Sequence, residues 1–263
     1  MTYSYYPGCT LKTKAKDLDT FARRSCEVLG ITLNELPEWQ CCGGTYTNAT
    51  NEPATKLASV RALMAAERAG EDLVTLCSAC HHVLKRVRND LLNDKAFALK
   101  VERYMQPEQS YLGQTKVIHF LELLRDVIGF DTLAKKVVKP FTGKKIGAYY
   151  GCLLLRPSTV LEMDDPENPK IMEDFIRAIG GEPVIYPYRN ECCGGYVTLE
   201  DKALSVRKSD EIKKNAASYQ ADLLITACPL CLYNLNQAKD MDLPVYYFTE
   251  LLAEALGVSG KED

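Results

Sequence analysis

The chain has 263 residues, 32 Lys and Arg against 35 Asp and Glu, a formal net charge of −3 and 46% hydrophobic residues. That balance excludes a disordered or collagenous chain and gives no basic footprint for nucleic acid. No apolar run approaches the ~18 residues of a membrane span, and MTYSYYPGC at the N-terminus lacks the basic-then-apolar signature of an export leader.

Strands and helices alternate along the sequence. Thr2 to Tyr6 predicts a short strand ending at Pro7-Gly8, and Lys16 to Gly30 an amphipathic helix with Leu18, Phe21, Ala22, Cys26 and Leu29 on one face. Ile31 to Leu36 reads as a second strand, Pro53 to Gly70 as a helix, Leu73 to Leu76 as a third strand, and a helix follows Cys80. The order then repeats: Lys145 to Tyr149, helix 170 to 179, Pro183 to Tyr186, helix 201 to 219, Leu223 to Thr226, and a helix after Cys231. The expected fold is α/β: two tandem, pseudo-symmetric Rossmann-like units with short parallel sheets. The units are 1–140 and 144–263, joined by the linker-like Lys139-Pro140-Phe141-Thr142-Gly143-Lys144.

Eleven cysteines against three histidines and one tryptophan is the unusual feature of the composition. An odd count in a chain long enough to build its own core speaks against a disulfide scaffold. With Cys26 set aside, ten fall into two sets of five. Cys9 is followed after 31 residues by Cys41-Cys42 and after 34 more by Cys77-x-x-Cys80; Cys152 is followed after 39 by Cys192-Cys193 and after 34 by Cys228-x-x-Cys231. The flanks repeat as well: QCCGGTY (40–46) with ECCGGY (191–196), Thr75-x-Cys77 with Thr226-x-Cys228, and VIHFLELLRDVIG (117–129) with VYYFTELLAEALG (245–257). The chain is a tandem duplication, with insertions around 93–114 in the first unit and 164–169 in the second.

Each quintet falls just after strand C-termini, the edge where open parallel sheets bind ligands and where free loop N–H groups stabilise thiolates. Several chemistries compete for it. Structural zinc takes four ligands and leaves one cysteine over. A thioredoxin-type CxxC leaves three unexplained, and a cubane iron–sulfur cluster again leaves one. Five thiolates suit a larger or irregular iron–sulfur cluster. Ten thiolates would bring the formal charge of −3 to −13, which a cationic metal load must offset in a compact core.

The repeated C-x31-CCG-x33-C-x-x-C pattern resembles the cysteine-rich CCG-domain family, and two copies with little else resemble the B-type iron–sulfur subunit of heterodisulfide reductase. The gap between pair and CxxC is slightly short in both units, a shortening the loop absorbs. The resemblance implies two noncubane [4Fe-4S] clusters, one on Cys9, Cys41, Cys42, Cys77 and Cys80, the other on Cys152, Cys192, Cys193, Cys228 and Cys231. It further implies a disulfide reductase, an oxidoreductase acting on a sulfur group: a small disulfide enters between the clusters and takes one electron from each side. The sequence carries no ferredoxin run, no GxGxxG after a strand and no Walker loop, so no flavin or nucleotide site is expected. In the family a ferredoxin-like iron–sulfur subunit and a flavin-containing subunit bring the electrons, and the expected setting is a cytoplasmic complex. The rivals are a CCG electron-transfer subunit of another redox complex (thiol:fumarate reductase, lactate or glycolate oxidation, or quinone-linked) and a zinc-stabilised scaffold without turnover.

Other residues have plainer readings. Cys26 reads as a buried structural thiol, His81 and His82 as a helix-surface pair, and His119, which aligns with Tyr247, as a capping or packing residue. Lys12, Lys14, Lys16 and Arg156 form either an anion-holding set or a solvated basic face. The doublets Tyr5/Tyr6 and Tyr149/Tyr150 read as strand core.

Overall fold

The computed structural model describes residues 1–44, 52–107 and 110–258. It contains two four-stranded parallel sheets. The first is built from β1 (Thr2–Tyr5), β2 (Thr32–Glu35), β3 (Leu73–Thr75) and β4 (Val117–His119) in the order β2-β1-β3-β4. The second, from β5 (Lys145–Tyr149), β6 (Glu182–Val184), β7 (Leu223–Thr226) and β8 (Val245–Tyr247), has the order β6-β5-β7-β8. Both sheets thus follow one path, and the fold is the tandem Rossmann-like α/β arrangement the alternation predicts. The edge strands β4 and β8 go beyond that pattern; each passes directly into a helix, at Phe120 and at Phe248.

The helices follow local signals. α1 (Gly8–Lys12) follows β1 directly. α2 (Lys16–Leu29) buries Leu18, Ala22, Cys26 and Leu29 and ends at left-handed Gly30. α3 (Pro53–Ala69) opens with proline in its first turn and ends at Gly70. α4 (Ser78–Asn93) follows Cys77, and the insertion of the first unit is an added helix, α5 (Lys95–Met105), capped by Asp94 and packed through Phe97 and Val101. α6 (Phe120–Leu123) continues through one wide turn into α7 (Phe130–Ala134). In the second unit come α8 (Ser158–Leu161), α9 (Ile171–Ala178), α10 (Lys202–Ser218), α11 (Pro229–Gln237) and α12 (Phe248–Ala255). The 164–169 insertion is a loop held by Asp164 and Asp165, whose carboxylates accept the backbone N–H groups of Glu167, Asn168, Lys170 and Ile171.

The two sheets share their packing helices. α12, from the end of the chain, lies along α2, where Thr249 Oγ1 donates to Leu18 O at 3.0 Å. Reciprocally, α7 packs on α9. Phe120, Phe175 and Phe248 meet between the units with ring centroids about 6 Å apart and are fully buried. One continuous core therefore draws on both halves.

Candidate metal centre

All ten repeated cysteines lie at the C-terminal ends of the strands. Cys9 sits in the first turn of α1, Cys41 and Cys42 in the loop after β2, Cys77 immediately before α4 and Cys80 in its first turn. In the second unit Cys152 follows β5, Cys192 and Cys193 follow a tight turn at Pro187–Asn190, and Cys228 and Cys231 flank the start of α11. The Tyr6 hydroxyl donates to Gln40 O, and the Tyr149 hydroxyl donates to Glu191 O at 2.8 Å. Each tyrosine thus fixes the residue just before the cysteine pair. Tyr6 and Tyr149 are the equivalent pair, one residue out of step with an alignment of the doublets; Tyr5 donates instead to Asp19, and Tyr150 to Glu173.

Gly8 and Gly151 hold the backbone against the CxxC. Both have positive φ, +75° and +62°, and a Cβ on them would stand 2.8 Å from Cys80 Sγ and 3.1 Å from Cys231 Sγ respectively. Only glycine allows the sulfur that close without strain.

The thiols form one unbroken row. It begins with Cys9 and Cys41, 3.4 Å apart, passes to Cys42, which lies 3.5 Å from Cys80, and reaches Cys77. Cys77 faces Cys228 of the second unit. From there the row runs through Cys231 to Cys193 at 3.6 Å, then to Cys192 and to Cys152 at 3.7 Å. The sequence order of each half is mirrored about the Cys77–Cys228 contact. At the centre the six thiols of Cys42, Cys77, Cys80, Cys193, Cys228 and Cys231 are buried; at the ends Cys9 and Cys41 are exposed and Cys152 and Cys192 half-buried. Among the described residues no three His, Cys, Asp or Glu side chains close around a single point at the distances of one ion. All the cysteines, Cys26 included, are free.

The pair in each half supplies a stabilised thiolate, though not the same member. Hydrogen bonds from Cys41 and Cys80, with the Gly44 N–H, hold Cys42 well below the ordinary thiol range against the cost of burial. In the second half Cys152, Cys193 and the N–H groups of Gly194 and Gly195 do this for Cys192. The outermost thiols, Cys9 and Cys152, are pushed up, Cys9 chiefly by its hydrogen bond with Cys41 and Cys152 by donating to the Cys192 thiolate.

The seam between the halves is tied next to the row. Tyr247 Oη lies 2.6 Å from Leu76 O and 2.9 Å from Ala227 O, the carbonyls preceding Cys77 and Cys228, and Ser78 Oγ donates to Ala227 O at 2.7 Å. Sequence reasoning does not single out Tyr247 or Ser78; the alignment of Tyr247 with His119 is the available signal. His81 and His82 are not a surface pair: both are buried, His81 against Glu122 and His119 of its own unit and His82 against the second unit. His82 Nδ1 lies 3.2 Å from Leu153 O, and His81 Nε2 3.0 Å from Glu122 Oε2. His119 does cap, its Nδ1 accepting from Leu121 N. Cys26 is buried as expected. Of the basic residues near Cys9 and Cys152, Lys12 pairs with Glu35 at 2.6 Å and Arg156 with Glu167 at 2.9 Å, while Lys14 and Lys16 are exposed. Tyr46, part of the repeated flank, lies outside the described residues.

Comparison with known proteins agrees with this frame. The cysteine-rich domain CCG matches residues 3–85 and 146–236, one match per sheet. Over 270 residues the chain is 29% identical to the 8-methylmenaquinol:fumarate reductase membrane anchor subunit of Wolinella succinogenes, covering 99% of this chain and 94% of that one. It is 27% identical to a protein of Archaeoglobus profundus that is itself like the B-type subunit of heterodisulfide reductase (97% and 90%). It is 25% identical to the B-type subunit of a ferredoxin/F420H2-dependent CoB-CoM heterodisulfide reductase of Methanosarcina acetivorans (98% and 90%). Among the described residues no helix is long and apolar enough to cross a membrane. A hypothetical protein of Helicobacter pylori shares the fold, with a TM-score of 0.76 at 13% identity over 97% of this chain, which spans about half (49%) of its length. The relatives are subunits of oxidoreductase complexes, and with a CCG domain on each of its two sheets the chain belongs to the CCG cysteine-rich domain family.

Proposed function

We propose that the row of thiols holds two noncubane [4Fe-4S] clusters, one on Cys9, Cys41, Cys42, Cys77 and Cys80 and one on Cys152, Cys192, Cys193, Cys228 and Cys231. The chain is then the disulfide-cleaving subunit of a heterodisulfide reductase-type complex, made of the units 1–140 and 144–263. A single observation carries this reading: ten sulfurs in one continuous row, five from each half, meeting at Cys77 and Cys228. A linear array suits polynuclear groups that reach several sulfurs, and fits poorly with a lone tetrahedral ion.

When bound, each cluster supplies one-electron transfer. The chain's own residues set the frame. Gly8 and Gly151 seat the CxxC sulfurs, Tyr6 and Tyr149 fix the cysteine pairs, and Tyr247 with Ser78 holds the halves in register. Cleavage of a small disulfide to two thiols consumes two electrons and two protons, and two matched one-electron sites meet that demand. A ferredoxin-like partner subunit, itself fed by a flavin subunit, is the proposed electron source. The cytoplasm, where free thiols persist, is the proposed compartment.

A second reading, a relay subunit of another redox complex, draws support from the exposed Cys9–Cys41 end of the row and from the fumarate reductase relative. The test is anaerobic purification with iron and sulfide analysis. About eight iron and eight sulfide per chain are expected, falling by about half in Cys80→Ser and in Cys231→Ser; one or two zinc without sulfide refutes the reading. Cleavage of a low-molecular-weight disulfide by the viologen-reduced protein supports the reductase, and its absence in the iron-replete protein supports the relay.

A further inference from the structure

Each end of the thiol row opens beside a cavity, and the two cavities are equivalent by the internal repeat yet opposite in charge. In the first half a cavity of about 580 Å³ lies between the loop leading to Cys41 and the outer face of α3, with Trp39, Arg61 and Arg68 in its wall and Glu38 as its acidic member. In the second half the matching cavity, about 300 Å³, lies between the loop leading to Cys192 and the face of α10. Lys208 lines it, but so do Glu191 and Glu211.

The helices give the register. Arg61 stands nine residues before Gly70 and Glu211 nine before Gln220, the two left-handed residues that close α3 and α10. An arginine in one half therefore occupies the place of a glutamate in the other. Arg61 Nη1 also donates to Gln40 Oε1 at 3.2 Å, which ties this wall to the residue next to Cys41. Trp39 is anchored on the other side by Tyr6, ring centroids 5.8 Å apart, and by a 3.3 Å hydrogen bond to Glu35.

A half-buried tryptophan flanked by exposed arginines is the composition of a protein-binding hot spot, and its charge selects an acidic partner. It adjoins the more exposed end of the row, where an external electron carrier comes closest to the sulfurs. The matching second-half cavity, smaller and net acidic, repels the same partner. We propose that an acidic protein carrying a one-electron centre docks on the Trp39–Arg61–Arg68 surface, so that electrons enter through the first half alone. This rests on the function proposed above. Two successive docking events each deliver one electron; the carrier loses two in all, which with two protons convert one disulfide to two thiols.

The experiment uses the full cluster-loaded chain and a reduced bacterial ferredoxin of acidic surface as the probe. The Kd and the rate of cluster reduction are both measured at low and high salt. Arg61→Glu/Arg68→Glu is expected to raise Kd at least tenfold at low salt and to slow reduction by ferredoxin to match, with the difference shrinking at high salt. Lys208→Glu is expected to leave both unchanged, and dithionite, a small reductant, should reduce all forms equally. An unchanged Kd in the double variant, or a loss in Lys208→Glu instead, overturns the proposal. A chain without iron overturns the cluster reading, while the Kd comparison still tests the surface.

Discussion

The two halves keep the glycine and tyrosine contacts that seat the thiols and differ in the groups packed behind them. Tyr6 and Tyr149 make the same bond, Gly8 and Gly151 the same close approach, and the first and last thiols of each half stand at the same ends of the row. Behind that frame the supports diverge. In the first half α4 continues into buried His81 and His82, with Lys85 and Glu122 3.3 Å apart beneath them. In the second, Leu232 and Tyr233 take the histidines' places, and the buried charges move to Glu173 and Arg189, 3.3 Å apart beside Tyr150. The difference separates what a thiol row demands from what merely fills a core.

The largest expected effect breaks the shared part. Gly8→Ala places a methyl group 2.8 Å from Cys80 Sγ at a φ of +75°, and about half of the bound iron should be lost. Gly151→Ala, where the gap is 3.1 Å, should lose a smaller share of the second half's iron. Equal losses from both variants, read as iron per chain, would remove the distinction.

Next come Glu122 and Glu250, equivalent residues that both accept the backbone N–H at the start of their helix. Burial raises the pKa of each, but at Glu122 the contacts with His81 and Lys85 overcome it and hold the carboxyl down to about 2, whereas Glu250 stays raised. A lowered folded pKa means that ionised Glu122 stabilises the fold, fully above about pH 4.5 and progressively less as pH falls towards 2. Glu122→Gln should therefore cost about 2 kcal/mol at pH 7, with the gap closing as the pH falls through that window. Glu250 has the opposite sign: its contribution is present below its unfolded pKa and fades as pH rises, so Glu250→Gln should cost less at pH 7. Urea unfolding midpoints across pH check both, and parallel profiles would contradict the difference.

The smallest effect tests the seam. Tyr247→Phe should cost about 1 kcal/mol, and because Tyr247 and Ser78 meet at Ala227 O, Tyr247→Phe and Ser78→Ala should be non-additive by about 0.5 kcal/mol or more. Strict additivity in urea unfolding would show that the two ties act separately.

The duplication, the sheet class and the grouping of the thiols are legible in the sequence because cysteine spacing and helix periodicity are local signals. What the sequence hides depends on the other half. His82 sits on a helix whose outer side looks solvated until the second unit covers it. The equivalence of Tyr6 with Tyr149, by contrast, is legible once each is counted three residues back from Cys9 or Cys152, although the doublets themselves suggest pairing Tyr5 with Tyr149. Arg61 and Glu211 read as ordinary surface charges until the closing residues of α3 and α10 align them.

The crossing of α12 onto α2, answered by α7 on α9, has a further consequence. Each half lends a helix that follows its last strand to the first long helix of the other, an exchange of the kind seen in a domain-swapped homodimer. Proteolysis within 139–144 would then leave two fragments that stay associated, because the larger hydrophobic core draws on both of them.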